Sequence, residues 1–429
     1  MKKSGRKRRK TGILKDVSFG LGYPFILIKR AVIPLIFLSV SILMISQNCI
    51  LPEEPLEARI HRIETGLLPE SQTAEKMLRE ASSLQDRMAY HKVPGVSIAV
   101  IDNLEITWAK GYGLRDAEEK SPVTTDTVFQ AASISKPVAA LAALHFVEKG
   151  MIHLDEDVND LLLSWKIPES EWTREEKVTL RRILSHKAGL SVGGFSGYKP
   201  GMPLPSLGQI LDGKKPANNP PIRIVLKPGT QDLYSGGGFM VLQQLLIDLL
   251  QISFPEIMKK TVLSPLGMIR STYEQPLPDG IQNNASSGHL ANGRLIREKH
   301  NIHPEMAAAG LWTTPTDLCR FAVFVMRAWA GKSGPILSQD MTRTMLCDHG
   351  NNRGLGFRVF DSGTDFLIDH SGSNAGFRCV LVAYPEKGQG MAIMTNGENG
   401  SLLIEEILGA ISVEYGWRHF RSKTAILKD

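Results

Sequence analysis

The sequence predicts an α/β protein. One antiparallel sheet is formed from both ends of the body and flanked by helices, with a mostly helical region inserted in the middle. Three observations predict it. Short apolar runs bounded by turn residues occur at 96–101 and 106–112, and again at 356–360, 366–370, 377–384 and 390–396. Stretches of helical periodicity fill the interval between the two groups. The last two runs are joined by Pro385-Glu386-Lys387-Gly388, the chemistry of a hairpin turn.

Taken in order, the chain opens on a basic leader. Residues 1–30 hold ten Lys or Arg and one acid, Asp16. An apolar run follows at 31–46, containing Pro34. It is shorter than the roughly 20 residues of a comfortable membrane span and long for a signal-peptide core. The basic flank predicts that the leader stays in the cytoplasm and that everything after residue 50 crosses the membrane. Either the run is an uncleaved anchor, the reading favoured here, or Ser46-Gln47-Asn48-Cys49 is a lipoprotein signal acylated at Cys49. The expected organisation is a leader with anchor or signal segment at 1–50 and a linker, or a peripheral helix, at 51–72. The main domain then runs over 73–420, with a tail at 421–429 and the body outside the membrane of a bacterial cell envelope.

Within the body, 74–91 reads as a helix broken by Val93-Pro94-Gly95, and the first two strands follow. A helix starts near Ser133 and closes at Glu148-Lys149-Gly150. Short helices are expected at 154–163 and 178–184. Residues 191–230, dense in Gly and Pro, read as a long functional loop. Helices are expected at 239–250, 254–262, 315–329 with Thr314 or Thr316 as cap, 338–346 and 402–415.

Composition narrows the function. The chain has 429 residues, 42% hydrophobic and 22% charged, as in an ordinary globular protein. Its formal charge of +6 comes from the leader; the rest carries forty basic against forty-three acidic side chains. No electrostatic case for nucleic-acid binding remains. The four cysteines, Cys49, Cys319, Cys347 and Cys379, show no zinc spacing and no disulfide framework.

Three motifs carry chemistry. Ser133-Ile134-Ser135-Lys136 is a Ser-x-x-Lys at the start of an apolar helix, which puts Ser133 and Lys136 on one face. Pro137 then falls in the first turn, where its missing N–H costs nothing. The pattern also occurs at Ser4–Lys7 and Ser196–Lys199, but without a helix behind it. Tyr234-Ser235-Gly236 precedes the next long helix, and glycine there allows close backbone approach. His370-Ser371-Gly372-Ser373-Asn374 ends a strand, where small residues let a substrate backbone lie along the edge.

In this order the three motifs resemble the serine β-lactamase and penicillin-binding-protein superfamily, closest to its branch of class C β-lactamases, DD-peptidases and related esterases. The resemblance spans about residues 76–415 and includes Val93-Pro94-Gly95, 183–190, Leu263-Ser264-Pro265-Leu266-Gly267-Met268 and 309–314. It implies a β-lactamase-like fold and an acyl-enzyme serine hydrolase acting on an amide or ester, without cofactor or metal. Ser133 would be the nucleophile and Lys136 its base. Tyr234 would share proton transfer with the leaving group, and His370 would take the place of the third motif's cation. The backbone N–H groups of Ser133 and Ser373 would form the oxyanion hole, with Gly236, Gly372 and Asn374 in the substrate site. Expected partners are a small-molecule or peptide substrate and, through the N-terminal segment, the membrane; oligomeric state is left open.

One departure stands out. The family's asparagine in Tyr-x-Asn is Gly236 here, and with histidine at 370 this predicts poor handling of β-lactams relative to simple esters. A true β-lactamase and a catalytically dead binding module are the alternatives. His186 is expected to be a structural hydrogen-bonder, Cys379 an inert core thiol and Asp317 a helix N-terminal charge. His300 and His303 lack partners for a metal.

Overall fold

The computed structural model describes residues 54–68, 81–332, 334, 336–363 and 365–417. The leader and the 31–46 run lie outside these. Among the described residues no single helix is long and apolar enough to cross a membrane.

Among the described residues nine strands form two sheets: β1 (Gly95–Asp102), β2 (Glu105–Asp116), β3 (Ser121–Pro122), β4 (Phe129–Gln130), β5 (Trp312–Thr313), β6 (Arg358–Asp361), β7 (Phe366–Asn374), β8 (Phe377–Tyr384) and β9 (Gln389–Thr395). The main sheet is antiparallel throughout, in the order β3-β2-β1-β9-β8-β7-β6. The join between the two ends of the body is the β1–β9 pair, with Ala99 opposite Ala392. A sheet drawn from both termini is therefore observed, as the two groups of apolar runs predict.

Both faces of this sheet are covered, which is why its central strands read as continuous apolar runs rather than alternating ones. Ala99, Ile101, Cys379, Leu381, Ala392 and Met394 join the larger core on the side of the inserted helices. Val96, Ile98, Val100, Val380, Val382, Met391 and Ile393 join the other. That second core is roofed by α1 (Leu56–Thr65), α2 (Leu84–His91) and the terminal helix Gly400–Glu414.

The inserted region is organised by α3 (Ser135–Glu148), α4 (Gly236–Leu250) and α5 (Pro315–Trp329). In α3 eleven of fourteen residues are buried, so it is a core helix with no solvent face to speak of. Thr314 caps α5 by accepting from the Asp317 N–H at 3.1 Å, with Pro315 in the first turn.

Several boundaries differ from the sequence reading. Residues 69–80 lie outside the described chain, and the expected 74–91 helix is described only as α2, beginning after Ser83, whose side chain caps it. The 191–230 stretch is an ordered layer. It contains the helix Leu207–Asp212 with a Ser206/Gln209 capping box, and it buries Tyr198, Ile210, Leu211 and Ile222. Asp317 is fully buried and does more than charge a helix end: it accepts from the Arg270 N–H and the Ser271 hydroxyl, both at 2.8 Å.

Candidate active site

The Ser133 segment is held from three sides. β4 pairs with β5, and the Ala131 N–H donates to the Leu311 carbonyl at 2.8 Å. Residues Ala132–Ile134 then form a single 3-10 turn, with Ala132 in the left-handed region at φ +53°, and α3 starts at Ser135. The expected helix start is thus displaced by two residues, but Pro137 still falls in the first turn. The Tyr273 hydroxyl donates to the Ser135 carbonyl at 2.8 Å, and the Leu311 N–H to the Ser135 hydroxyl at 3.0 Å.

Strand β7 closes the third side. A Cβ on Gly372 would stand 2.2 Å from the Ala131 carbonyl oxygen and 2.5 Å from Cys379 Sγ. Only glycine permits this approach. The Cys379 thiol donates to the same Ala131 carbonyl at 3.2 Å, so it tethers the segment rather than being merely a core filler. Asn374, expected in the substrate site, uses its amide N–H groups on Gln130 Oε1 at 2.8 Å and the Ala309 carbonyl at 3.3 Å. It pins the strand to the nucleophile's surroundings.

Beyond Asp369 no described strand pairs with the second edge of β7, because β6 pairs only with Phe366 to Asp369. Residues His370 to Asn374, including Ser373, therefore present a free strand edge.

Ser133 and Lys136 are brought together. Lys136 Nζ lies 3.1 Å from Ser133 Oγ and 2.8 Å from the Ala308 carbonyl oxygen, and the lysine is 2% exposed. Ser133 is half-buried. Tyr234 joins them: Lys136 Nζ is 5.0 Å from its ring centroid. The guanidinium of Arg353 lies 5.8 Å from that ring and donates from Nε to Asp232 at 2.9 Å.

Two histidines flank the tyrosine, His186 at 4.4 Å and His370 at 6.4 Å between ring centroids. His186 accepts the Ser235 N–H at Nδ1 (3.1 Å), and its carbonyl accepts the Leu233 N–H (2.9 Å). Both neighbours of Tyr234 are thereby fixed to one residue, so the expected hydrogen-bonding role is observed and is directed at the tyrosine. His370 donates from Nδ1 to the Ser371 carbonyl at 2.7 Å, leaving Nε2 with its lone pair. Burial, reinforced by Lys136, drives the His370 pKa well below the ordinary imidazole value. Burial first, then Arg353 and Lys136, does the same to His186. His370 is therefore a neutral group, not a cation that switches near neutral pH.

Gly236 begins α4 with its N–H donated to the Gly193 carbonyl at 3.1 Å. A Cβ there would meet that carbonyl and Phe195 Cε2, each at 3.0 Å. Sequence reasoning missed Phe195, His186's contact with Tyr234, Arg353 and the Ala308 carbonyl. Each reaches the site from a segment distant in sequence, and none belongs to a motif. His303 and Glu305, also buried, lie 3.9 Å apart behind the Met306–Ala309 turn that supplies the Ala308 carbonyl. Burial pushes Glu305 up to about 7 and His303 down to about 4. Among the described residues no cluster of His, Cys, Asp and Glu could hold a metal ion.

A buried lysine on a half-buried serine, beside a tyrosine and facing an open strand edge, is an arrangement in which a lysine could activate a serine in place of a histidine. Residues 81–409 match the Beta-lactamase family, and the chain belongs to it. It is similar to the β-lactamase of Pseudomonas fluorescens, 23% identical over 73% of this chain and 92% of that one. It is also similar to protein flp of Staphylococcus aureus strain MRSA252, 22% identical over 71% of this chain, and spans 60% of that protein's length. Among solved structures it shares its fold with the octameric penicillin-binding protein homologue from Pyrococcus abyssi, at a TM-score of 0.63 and 24% identity, covering 78% and 76% of the two chains. SurE crystallised with D-Leu gives a TM-score of 0.61 and 22% identity, over 80% and 76%.

Proposed function

We propose that the protein hydrolyses an ester or amide through an acyl-enzyme on Ser133. The observation that carries this reading is the 3.1 Å approach of buried Lys136 to Ser133 Oγ. In its amine form Lys136 gives one N–H to the Ala308 carbonyl and receives the Ser133 proton as the oxygen attacks the substrate carbonyl. Tyr234, beside Lys136, passes a proton to the leaving atom. Water then attacks the acyl carbon, loses a proton to the same pair, and Ser133 is restored. The Ser133 and Ser373 N–H groups are the proposed donors to the oxyanion, an effect worth roughly 3–4 kcal/mol per donor where measured.

β-Lactam hydrolysis is the second reading, favoured by the Pseudomonas fluorescens relative, of which the chain covers 92%. Against it stand Gly236 and a neutral His370, which remove the amide and the cation that would hold a β-lactam. Activated aryl esters need neither and are the expected good substrates. The leader supports a body held outside the cytoplasmic membrane.

A single experiment addresses both activity and placement: spheroplasts are treated with a fluorophosphonate or a penicillin, the modified peptide is mapped, and a parallel sample receives external protease. Modification at Ser133 and digestion from outside are expected. Labelling of another residue sinks the nucleophile assignment, and full protection from protease sinks the orientation.

A further inference from the structure

The two halves of the Tyr234–Gly236 segment differ in character. Around the Tyr234 ring stand Lys136 at 5.0 Å, Arg353 at 5.8 Å and His370 at 6.4 Å, a polar surround. Since a proton must arrive at the leaving atom, that half suits the leaving group. Two residues on, at buried Gly236 at the start of α4, the surroundings are different. The half-buried Phe195 ring comes so near Gly236 that an added Cβ would meet its Cε2 at 3.0 Å and its Cδ2 at 3.4 Å. The loop segment carrying the ring is locked to α4, with Gly236 N–H on the Gly193 carbonyl and Gly237 N–H on the Val192 carbonyl.

Residue 236 thus offers no side chain and no amide, and its space is taken by an aromatic ring. Lys136 needs no amide from this position, because the Ala308 carbonyl holds it at 2.8 Å. We propose that Phe195 is the acyl-side specificity residue, packing an apolar acyl chain and disfavouring an acyl group that carries an amide. An amide placed against the ring loses its water and finds no partner there, whereas each methylene gains contact. This rests on the reading that Ser133 carries the acyl group.

The test compares p-nitrophenyl acetate, butyrate, hexanoate and the N-acetylglycine ester on the full chain, with Ser133 labelling by a fluorophosphonate run on every variant. Phe195→Ala is expected to lower the butyrate-to-acetate ratio of kcat/KM about tenfold, the scale of a lost apolar contact. It should also raise N-acetylglycine turnover relative to butyrate, and Gly236→Asn added to Phe195→Ala should raise it further. Phe195→Leu and Phe195→Asn both keep a side chain against Gly236, so they carry the test should the alanine variant unfold. Leucine keeps the ratio within about threefold, and asparagine lowers it. An unchanged chain-length profile in a variant that still labels at Ser133 overturns the Phe195 assignment alone. A wild-type Ser133 that does not label overturns the underlying reading, and the Phe195 assignment falls with it.

Discussion

Ser133→Ala is expected to abolish turnover, and replacement of Lys136 to lower kcat by at least about a thousandfold, the upper range for a positioned base. Because the two act as one unit, the double variant should lose little more than the worse single one. The two substitutions differ in their structural cost. Ser133 is half-buried at a turn, so its hydroxyl can go without opening the core. Lys136 is among the largest fully buried side chains, and its Nζ is the partner of the Ala308 carbonyl. Lys136→Ala would leave both a cavity and an unpaired carbonyl, on the order of several kcal/mol together. Lys136→Met fills the space and is the better probe of chemistry. Steady-state aryl-ester kinetics with a denaturation curve for each variant separate the two effects. Wild-type turnover in Ser133→Ala, or strictly multiplicative losses in the double variant, would refute the pairing.

Gly372→Ala should cost about a hundredfold in rate although it removes no functional group. Its Cβ would lie 2.2 Å from the Ala131 carbonyl oxygen, a backbone atom two residues before the nucleophile. Either β7 or the 131–133 segment must withdraw, and a misplacement near 1 Å costs about a hundredfold in rate. Overpacking of this kind also costs about 1–3 kcal/mol of stability. Gly409→Ala, in the terminal helix where an added Cβ meets nothing within 4 Å, is the control and should if anything stabilise. Equal activity in the two variants would show that the strand does not position Ser133.

The sequence made the motif residues legible because each sits at a local structural event. Ser133 and Lys136 straddle a helix start, Tyr234 precedes a helix, and His370 to Asn374 form a strand end. Local signals do not extend to what those residues touch. Lys136 is anchored by a carbonyl 172 residues away, and the Tyr234 turn by a histidine whose Nδ1 reaches Ser235 across 49 positions. Asn374 is placed in the substrate site by the resemblance, and no local signal shows that its amide turns inward to Gln130. The two-residue strands β3, β4 and β5 carry too little pattern to be seen, yet β4 and β5 fix where Ser133 stands. The helix Leu207–Asp212 escaped notice for the same reason, being short and set among glycines and prolines.

Around Tyr234 and the Met306–Ala309 turn, folding and protonation are coupled. His186, His370 and His303 are buried and uncharged, with folded pKa values below the ordinary 6.5, His303 at about 4. The stability they lend is complete above pH 6.5 and is lost as pH falls, because the unfolded chain gains protons there that the folded one refuses. Glu305 runs the other way. Raised to about 7 from 4.5, it lends stability below pH 4.5 that is lost as pH climbs through 7. Below pH 6.5 three imidazoles oppose one carboxyl, so this set takes up protons on unfolding and its stability falls as pH falls. The urea midpoint should therefore drop steeply between pH 7 and pH 5, and a flat profile would mean these groups are charged in the folded state. A hydrolase built this way is limited on the acid side by its own proton affinity when unfolded, before any catalytic group need titrate.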